Sequence, residues 1–262
     1  MSDWLHNLPV PWMALVVFGF TYLLAAAIHA GVAVLAAGKR TKSLTAISPG
    51  MLAPLGIIFG LFVAFTAAQV WSDNDRAGAA VTREASALRS VMVLAGSFAG
   101  EPETRLRSLV RAYIEEAANV EWPMMARQTA SLKATPRPLA EALQLVLSVT
   151  TTGPGQETAQ REIANAIETA LDARRQRIIV SRAEVNPVKW FCLLLQAVCA
   201  LLAIGLVHCD NRGASAVAMG LYATGVAASV LLIAAHDRPF TGQLAVTPEP
   251  LLQIMPDAPT DR

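Results

Sequence analysis

The chain has 262 residues, of which 54% are hydrophobic and 16% charged, and its mean hydropathy is +0.43. Because soluble globular proteins are about 25% charged, this composition indicates a membrane protein with several spans. The 21 basic residues nearly balance the 20 acidic ones, which excludes the strongly basic surface that a nucleic-acid-binding protein uses to neutralise phosphates.

The first hydrophobic segment, residues 11–37, contains no Asp, Glu, Lys or Arg. It exceeds the ~20 apolar residues that a transmembrane helix needs. No basic region precedes it, so we expect an uncleaved span rather than a signal peptide. His29 lies inside this span, and an ionisable group at that depth is a candidate functional residue. The alternative is a neutral imidazole hydrogen-bonded to a neighbouring helix.

The second segment, residues 49–71, is also free of charges and predicts a second span. Small residues recur along it at every fourth position, which places them on one face of a helix. Such a face lets another helix approach closely, so we expect it to pack on protein in an oligomer. The small residues are Gly56, Gly60, Ala64 and Ala68.

An apolar ridge of Ala53, Ile57 and Leu61 follows the same spacing about 100° around that helix. A ring of such ridges would form a narrow apolar constriction, which can close a pore by dewetting. The alternative is that the ridge faces lipid or packs on the other spans, where most residues are apolar.

Residues 72–187 have a different composition and predict a soluble helical domain. Residues 73–189 contain 15 of the 21 basic and 14 of the 20 acidic residues. Apolar residues at helical spacing predict a continuation of the second span to about Ala99, a helix from about Pro102 to Val120, a kink at Pro123 and further helices near 139–147 and 157–182.

The C-terminal part, residues 188–236, predicts a membrane hairpin with spans at 190–209 and 213–235, followed by an irregular Pro-rich tail over residues 237–262. The three cysteines have no metal-binding spacing. The predicted fold is therefore all-α, with two spans in residues 1–71, a soluble helical domain, and two more spans.

Because each hairpin crosses the bilayer twice, we expect both termini and the helical domain on the same side. Lys39, Arg40 and Lys42 favour a cytoplasmic first loop, whereas the arginines that flank the spans on the domain side favour a cytoplasmic domain. We predict a cytoplasmic helical domain. The basic residues of the first loop favour the opposite orientation, which stays open.

No pattern in the chain predicts an enzyme, a metal site or a cofactor. There is no nucleophile elbow, P-loop or dinucleotide-binding glycine pattern, and the four histidines have no ligand partners at helical spacing.

Two motifs, DARRQR (172–177) and DRPFTG (237–242), place charged residues at the membrane ends of the third and fourth spans. They predict a vestibule for anions or lipid headgroups. The alternative is a structural clasp, in which an Asp of either motif pairs with one of the arginines. The residues are Asp172, Arg174, Arg175, Arg177, Asp237 and Arg238.

Over nearly its full length the chain resembles a bacterial bestrophin-like membrane family. The resemblance rests on the order and spacing of six blocks: LFVAFTAAQVW (61–71), REASAL (83–88), EWPMMAR (121–127), DARRQR (172–177), DRPFTG (237–242) and VTPEP (246–250). The chain is more remotely similar to bestrophins proper, which are pentameric anion channels with two spans, a helical domain and two further spans.

The resemblance implies an ion channel of the bacterial inner membrane, assembled as a pentamer and conducting small anions such as chloride. Ala53, Ile57 and Leu61 match the three positions that line the bestrophin neck. The chain departs from the pattern in having aliphatic residues where many bestrophins have aromatic ones, and in having no acidic cluster like the calcium clasp of animal bestrophins. A different class of function is a non-conducting membrane scaffold or sensor whose helical domain binds a partner.

Overall fold

The computed structural model describes residues 3–36, 49–133 and 135–256, apart from the side chains of Asp3 and Leu5. All regular secondary structure in these residues is helical, which confirms the all-α prediction. Lys39, Arg40 and Lys42 of the first loop, and the last residues of the predicted tail, lie outside the described part.

The helices come in this order along the chain: α1 (Asp3–His6), α2 (Val10–Leu35), a 3₁₀ turn (Pro49–Met51), α3 (Leu52–Ala95), α4 (Glu101–Glu116), a π-helical turn (Ala117–Glu121), α5 (Trp122–Ala126), α6 (Arg137–Ser148), α7 (Pro154–Val180), α8 (Pro187–Val207), α9 (Arg212–His236) and α10 (Glu249–Leu252). Four of the helical segments are long and apolar enough to cross a membrane: Val10–Leu35, Pro49–Ala95, Pro187–Val207 and Arg212–His236.

The chain divides into two compact units, and the division falls within α3 between Ser72 and Asp73. The first, here called the span unit, comprises the described parts of 1–72, 184–237 and 242–244. The second, the helical unit, comprises 73–183, 238–241 and the described part of 245–262.

The span unit packs α2, α8, α9 and the first part of α3 around an apolar core. Met13, Leu193 and Ala227 are almost fully buried in it. Many apolar side chains on these helices remain exposed instead, among them Leu23 and Phe191. Helices that are apolar all round suit a lipid environment.

The helical unit is built from amphipathic helices, which bury one apolar stripe each and carry their charges on the opposite face. Val81, Leu88 and Val91 of α3 lie in this core together with Ile163 and Ile167 of α7, and all five are fully buried.

The C-terminal segment differs from the irregular tail that the sequence predicts. Phe240 and Leu251 are buried in the core of the helical unit, and Glu249–Leu252 form a turn of helix that begins directly after Pro248. The sequence predicts no helix here because the segment is rich in proline. Burial of the two apolar side chains stabilises the segment against the core.

Candidate functional site

Within its apolar segment, α3 has one face that the chain covers and one that it leaves open. Phe59, Thr66 and Val70 are buried, whereas the side chains of Ile57 and Leu61 are 62% and 53% exposed. The remaining predicted neck and helix-packing residues are exposed as well: Ala53, Gly56, Gly60, Ala64 and Ala68. Both predicted surfaces of the second span are therefore uncovered in the single chain.

The two glycines on this open face are not required by the packing of the chain itself. A Cβ atom added at Gly56 or Gly60 would have no neighbour within 4 Å. Their helix-packing role stays a prediction about a contact outside the chain.

The helical unit contains a buried network of charged side chains centred on Arg177, which has no exposed surface. Arg177 Nε donates to Glu84 Oε2 at 2.7 Å, and its Nη2 donates to Glu84 Oε1 at 3.0 Å and to Glu121 Oε2 at 2.9 Å. Arg174 Nε donates to Glu121 Oε1 at 2.8 Å. Two carboxylates and two guanidinium groups cancel in charge, which is what makes their burial tolerable.

Aromatic side chains enclose this network. The guanidinium carbon of Arg177 lies 4.7 Å from the ring centre of Trp122, a cation–π contact. Trp122 packs edge-on against Phe240 at 5.7 Å, and its indole N–H donates to the carbonyl of Val246 at 3.0 Å. The hydroxyl of Tyr113 donates to Glu84.

The surroundings change the proton affinities of two members. Burial alone would lower the pKa of Arg177, but the carboxylates of Glu84 and Glu121 hold that pKa above its ordinary value. Burial, reinforced by the charge of Glu84, raises the pKa of Tyr113 well above its usual range. Both shifts favour a charged guanidinium group on Arg177 and a neutral, hydrogen-bond-donating hydroxyl on Tyr113.

Glu121 is the last residue of the π-helical turn over Ala117–Glu121. Such a turn inserts one residue into the helical repeat and rotates the residues after it around the helix axis. Val120, which the sequence placed on the apolar stripe, is 52% exposed, and Glu121 is buried instead. The turn directly precedes the helix that contains Pro123, and the kink at Pro123 stays a prediction.

Among the remaining vestibule or clasp candidates, Asp172, Arg175 and Asp237 have partners of their own. Asp172 pairs with Arg175 at 2.5 Å, and both side chains are exposed, so the contact contributes little to stability. Asp237, in the span unit, accepts from the backbone N–H of Val185 at 2.6 Å and lies 3.1 Å from His6 Nε2. Arg238 is half-buried in the helical unit.

The predicted clasp is found in one exposed pair, Asp172 with Arg175, whereas the buried arginines have other partners. Arg174 and Arg177 pair with Glu84 and Glu121, not with Asp172 or Asp237. Arg177 has no surface left with which to meet an anion in a vestibule. Arg175 is exposed, but its guanidinium group pairs with Asp172.

His29 is half-buried in the span unit, with its Nδ1 3.3 Å from the hydroxyl of Ser215 on α9. This contact agrees with the alternative interpretation, an imidazole hydrogen-bonded to a neighbouring helix. Among the described residues, no three His, Cys, Asp or Glu side chains are grouped so that they could hold a metal ion.

Sequence reasoning did not single out Glu84 and Glu121, although a signal for Glu84 was present. Ala77, Val81 and Leu88 form a buried stripe along α3. Glu84 lies on the same stripe, seven residues after Ala77 and three after Val81, so an acidic residue interrupts a buried apolar face. Arg174 and Arg177 interrupt the stripe of α7 in the same way. Opposite charges on two such stripes predict a buried ion pair.

Four helical segments of membrane-spanning length, together with a compact unit of amphipathic helices, define an α-helical membrane protein. A bestrophin-like domain matches residues 19–251, so the chain belongs to the bestrophin-like family. No curated protein and no solved structure matches the chain.

The blocks that carried the family resemblance supply the buried network. REASAL contains Glu84, EWPMMAR contains Glu121 and Trp122, and DARRQR contains Arg174 and Arg177. Three of the six blocks therefore contribute all four charged members of the network.

Replacing Arg177 by Ala should lower the free energy of unfolding by ~3 to 5 kcal/mol, because two carboxylates would remain buried without their common partner. Thermal unfolding of the purified protein measures this change. Arg175→Ala is the matched control two positions earlier on the same helix, and we expect it to cost no more than about 1 kcal/mol. Equal losses in the two variants would contradict the assignment of Arg177 as the centre of the network.

Proposed function

We propose that this protein is an anion channel that assembles as a homo-oligomer around α3. The observation that carries the proposal is the open face of α3, where apolar and small side chains stay exposed in a segment long enough to span a bilayer. Membership of the bestrophin-like family supports it, and the resemblance to bestrophins suggests five subunits.

Association through this face has a physical basis. In lipid there is little hydrophobic drive between helices, so close packing at small residues must hold subunits together. The open space at Gly56 and Gly60 gives a second helix room to approach the backbone of α3.

In such an oligomer Ala53, Ile57 and Leu61 would form successive apolar rings around the axis. Rings of this kind exclude water unless they widen, and ions then cannot pass. The protein would conduct small anions without catalysing a reaction or using a cofactor. We place it in the bacterial inner membrane with the helical unit in the cytoplasm.

Gly60→Leu should weaken assembly, because its side chain would fill the space that the neighbouring helix needs. Gly19→Leu is the matched control, since Gly19 lies on α2 and likewise has no neighbour within 4 Å of an added Cβ. Light scattering of the detergent-purified proteins gives the subunit number. A monomeric wild-type protein would remove the basis for a central pore.

In chloride-loaded liposomes the wild-type protein should produce a chloride leak, and the double variant Ile57→Ala with Leu61→Ser should increase it by widening and wetting the constriction. The control pair Leu15→Ala with Leu23→Ser changes exposed residues of α2 and should leave the flux unaltered. Unchanged flux in a correctly assembled neck variant would rule out the neck assignment.

A non-conducting scaffold or sensor is the competing proposal. It is favoured by a groove of about 420 Å³ between α3 and α7 in the helical unit, whose lining includes Arg83, Ser90 and Glu162 and so offers hydrogen-bonding groups to a partner. Absence of any leak from liposomes that contain assembled wild-type protein would favour this function.

A further inference from the structure

An apolar groove of about 220 Å³ lies between α2, α8 and α9 in the span unit. Phe20 of α2, Leu194 of α8 and Val230 of α9 are among its walls. Thr21 also lines it, but its hydroxyl donates to the carbonyl of Val17 at 2.8 Å and is satisfied within its own helix. All three helices are long and apolar enough to span a membrane, so we expect the groove to face hydrocarbon.

The length of the groove matches one leaflet of a bilayer. Along α8 its lining runs from Trp190 to Leu201, which at 1.5 Å per residue is about 16 Å. The hydrocarbon core of a bilayer is about 30 Å thick, so one leaflet contributes about 15 Å. An acyl chain that lies along the groove would therefore fill it from the interface to near the midplane.

The Trp190 end of the groove carries groups that suit the polar end of a lipid. Trp190 lies near the beginning of α8 and is 6% exposed, and its indole N–H has no hydrogen-bond partner among the described residues. The next residue toward the N-terminus, Lys189, does not line the groove itself. Its ammonium group donates to the side-chain amide oxygen of Gln69, a neutral acceptor that does not compensate the charge. Indole and lysine side chains at this level are typical anchors of the lipid interface.

We propose that this groove binds one acyl chain of a phospholipid from the leaflet on the Trp190 side. The ester carbonyl of the lipid accepts from the Trp190 indole, and its phosphate lies toward Lys189. The site is independent of ion conduction, since it is formed by α2, α8 and α9 within one chain and does not include the open face of α3.

Native mass spectrometry of the protein purified in mild detergent tests the proposal. The wild-type chain should retain a bound phospholipid, and Leu194→Trp should lose most of it because the larger ring fills the groove. Leu195→Trp is the matched control, since Leu195 is the next residue of α8, is 48% exposed and does not line the groove. A wild-type protein without bound lipid, or equal loss in the two variants, would overturn the proposal. So would a Leu194→Trp variant that keeps its lipid but changes its subunit number, because the groove would then be covered by another copy of the chain.

A second measurement does not depend on the folding of a variant. Wild-type protein is loaded with a phospholipid that carries a photoactivatable acyl chain, and detergent washing then removes loosely held lipid before irradiation. Crosslinks, located to single residues by fragmentation of the peptides, should fall on groove residues such as Leu194 and Val230. Crosslinks spread evenly over exposed residues such as Leu195 and Val217 would contradict a specific site.

Discussion

The buried contact between Arg177, Glu84 and Glu121 is the constraint on which the helical unit depends. It joins three segments that are far apart in the sequence, since Glu84 lies on α3, Glu121 in the π-helical turn and Arg177 on α7. A buried ion pair contributes little net stability compared with apolar residues of the same shape, but breaking it leaves an uncompensated charge in the core. Its main effect is therefore on specificity: a packing that separates these residues would leave at least one charge unpaired.

In the span unit, the two faces of α3 differ in burial. There α3 buries Phe59, Thr66 and Val70 against its own chain, while Ile57 and Leu61 remain open. A helix that is apolar on both sides gains nothing from exposing a particular side to lipid, so the small residues on its open face are better explained by close packing on a second copy. The open face of α3 is therefore the basis of the proposed oligomeric pore.

The spans and the helical class could be predicted from the sequence because they depend on local composition and periodicity. The structure places α2, α8 and α9 close to the predicted spans. The partners of Arg174 and Arg177 were missed because pairing across such sequence distances leaves no local pattern except the phase of the charged residues on their apolar stripes. The sequence also favoured Val120 rather than Glu121 for the buried face, and the π-turn that ends at Glu121 was not predicted, since such a turn leaves the composition unchanged.

Chemical modification of a cysteine introduced by Ile57→Cys tests the central claim, that the open face of α3 lines an anion pathway. The substitution would be made in a background in which Cys192, Cys199 and Cys209 are replaced, and chloride flux would be measured before and after adding a charged thiol reagent. The account predicts that modification changes the flux strongly, because the reagent places a bulky charge in the constriction, and that Leu23→Cys on α2 shows no such effect. Unchanged flux after complete modification of the introduced cysteine in assembled protein would contradict the account.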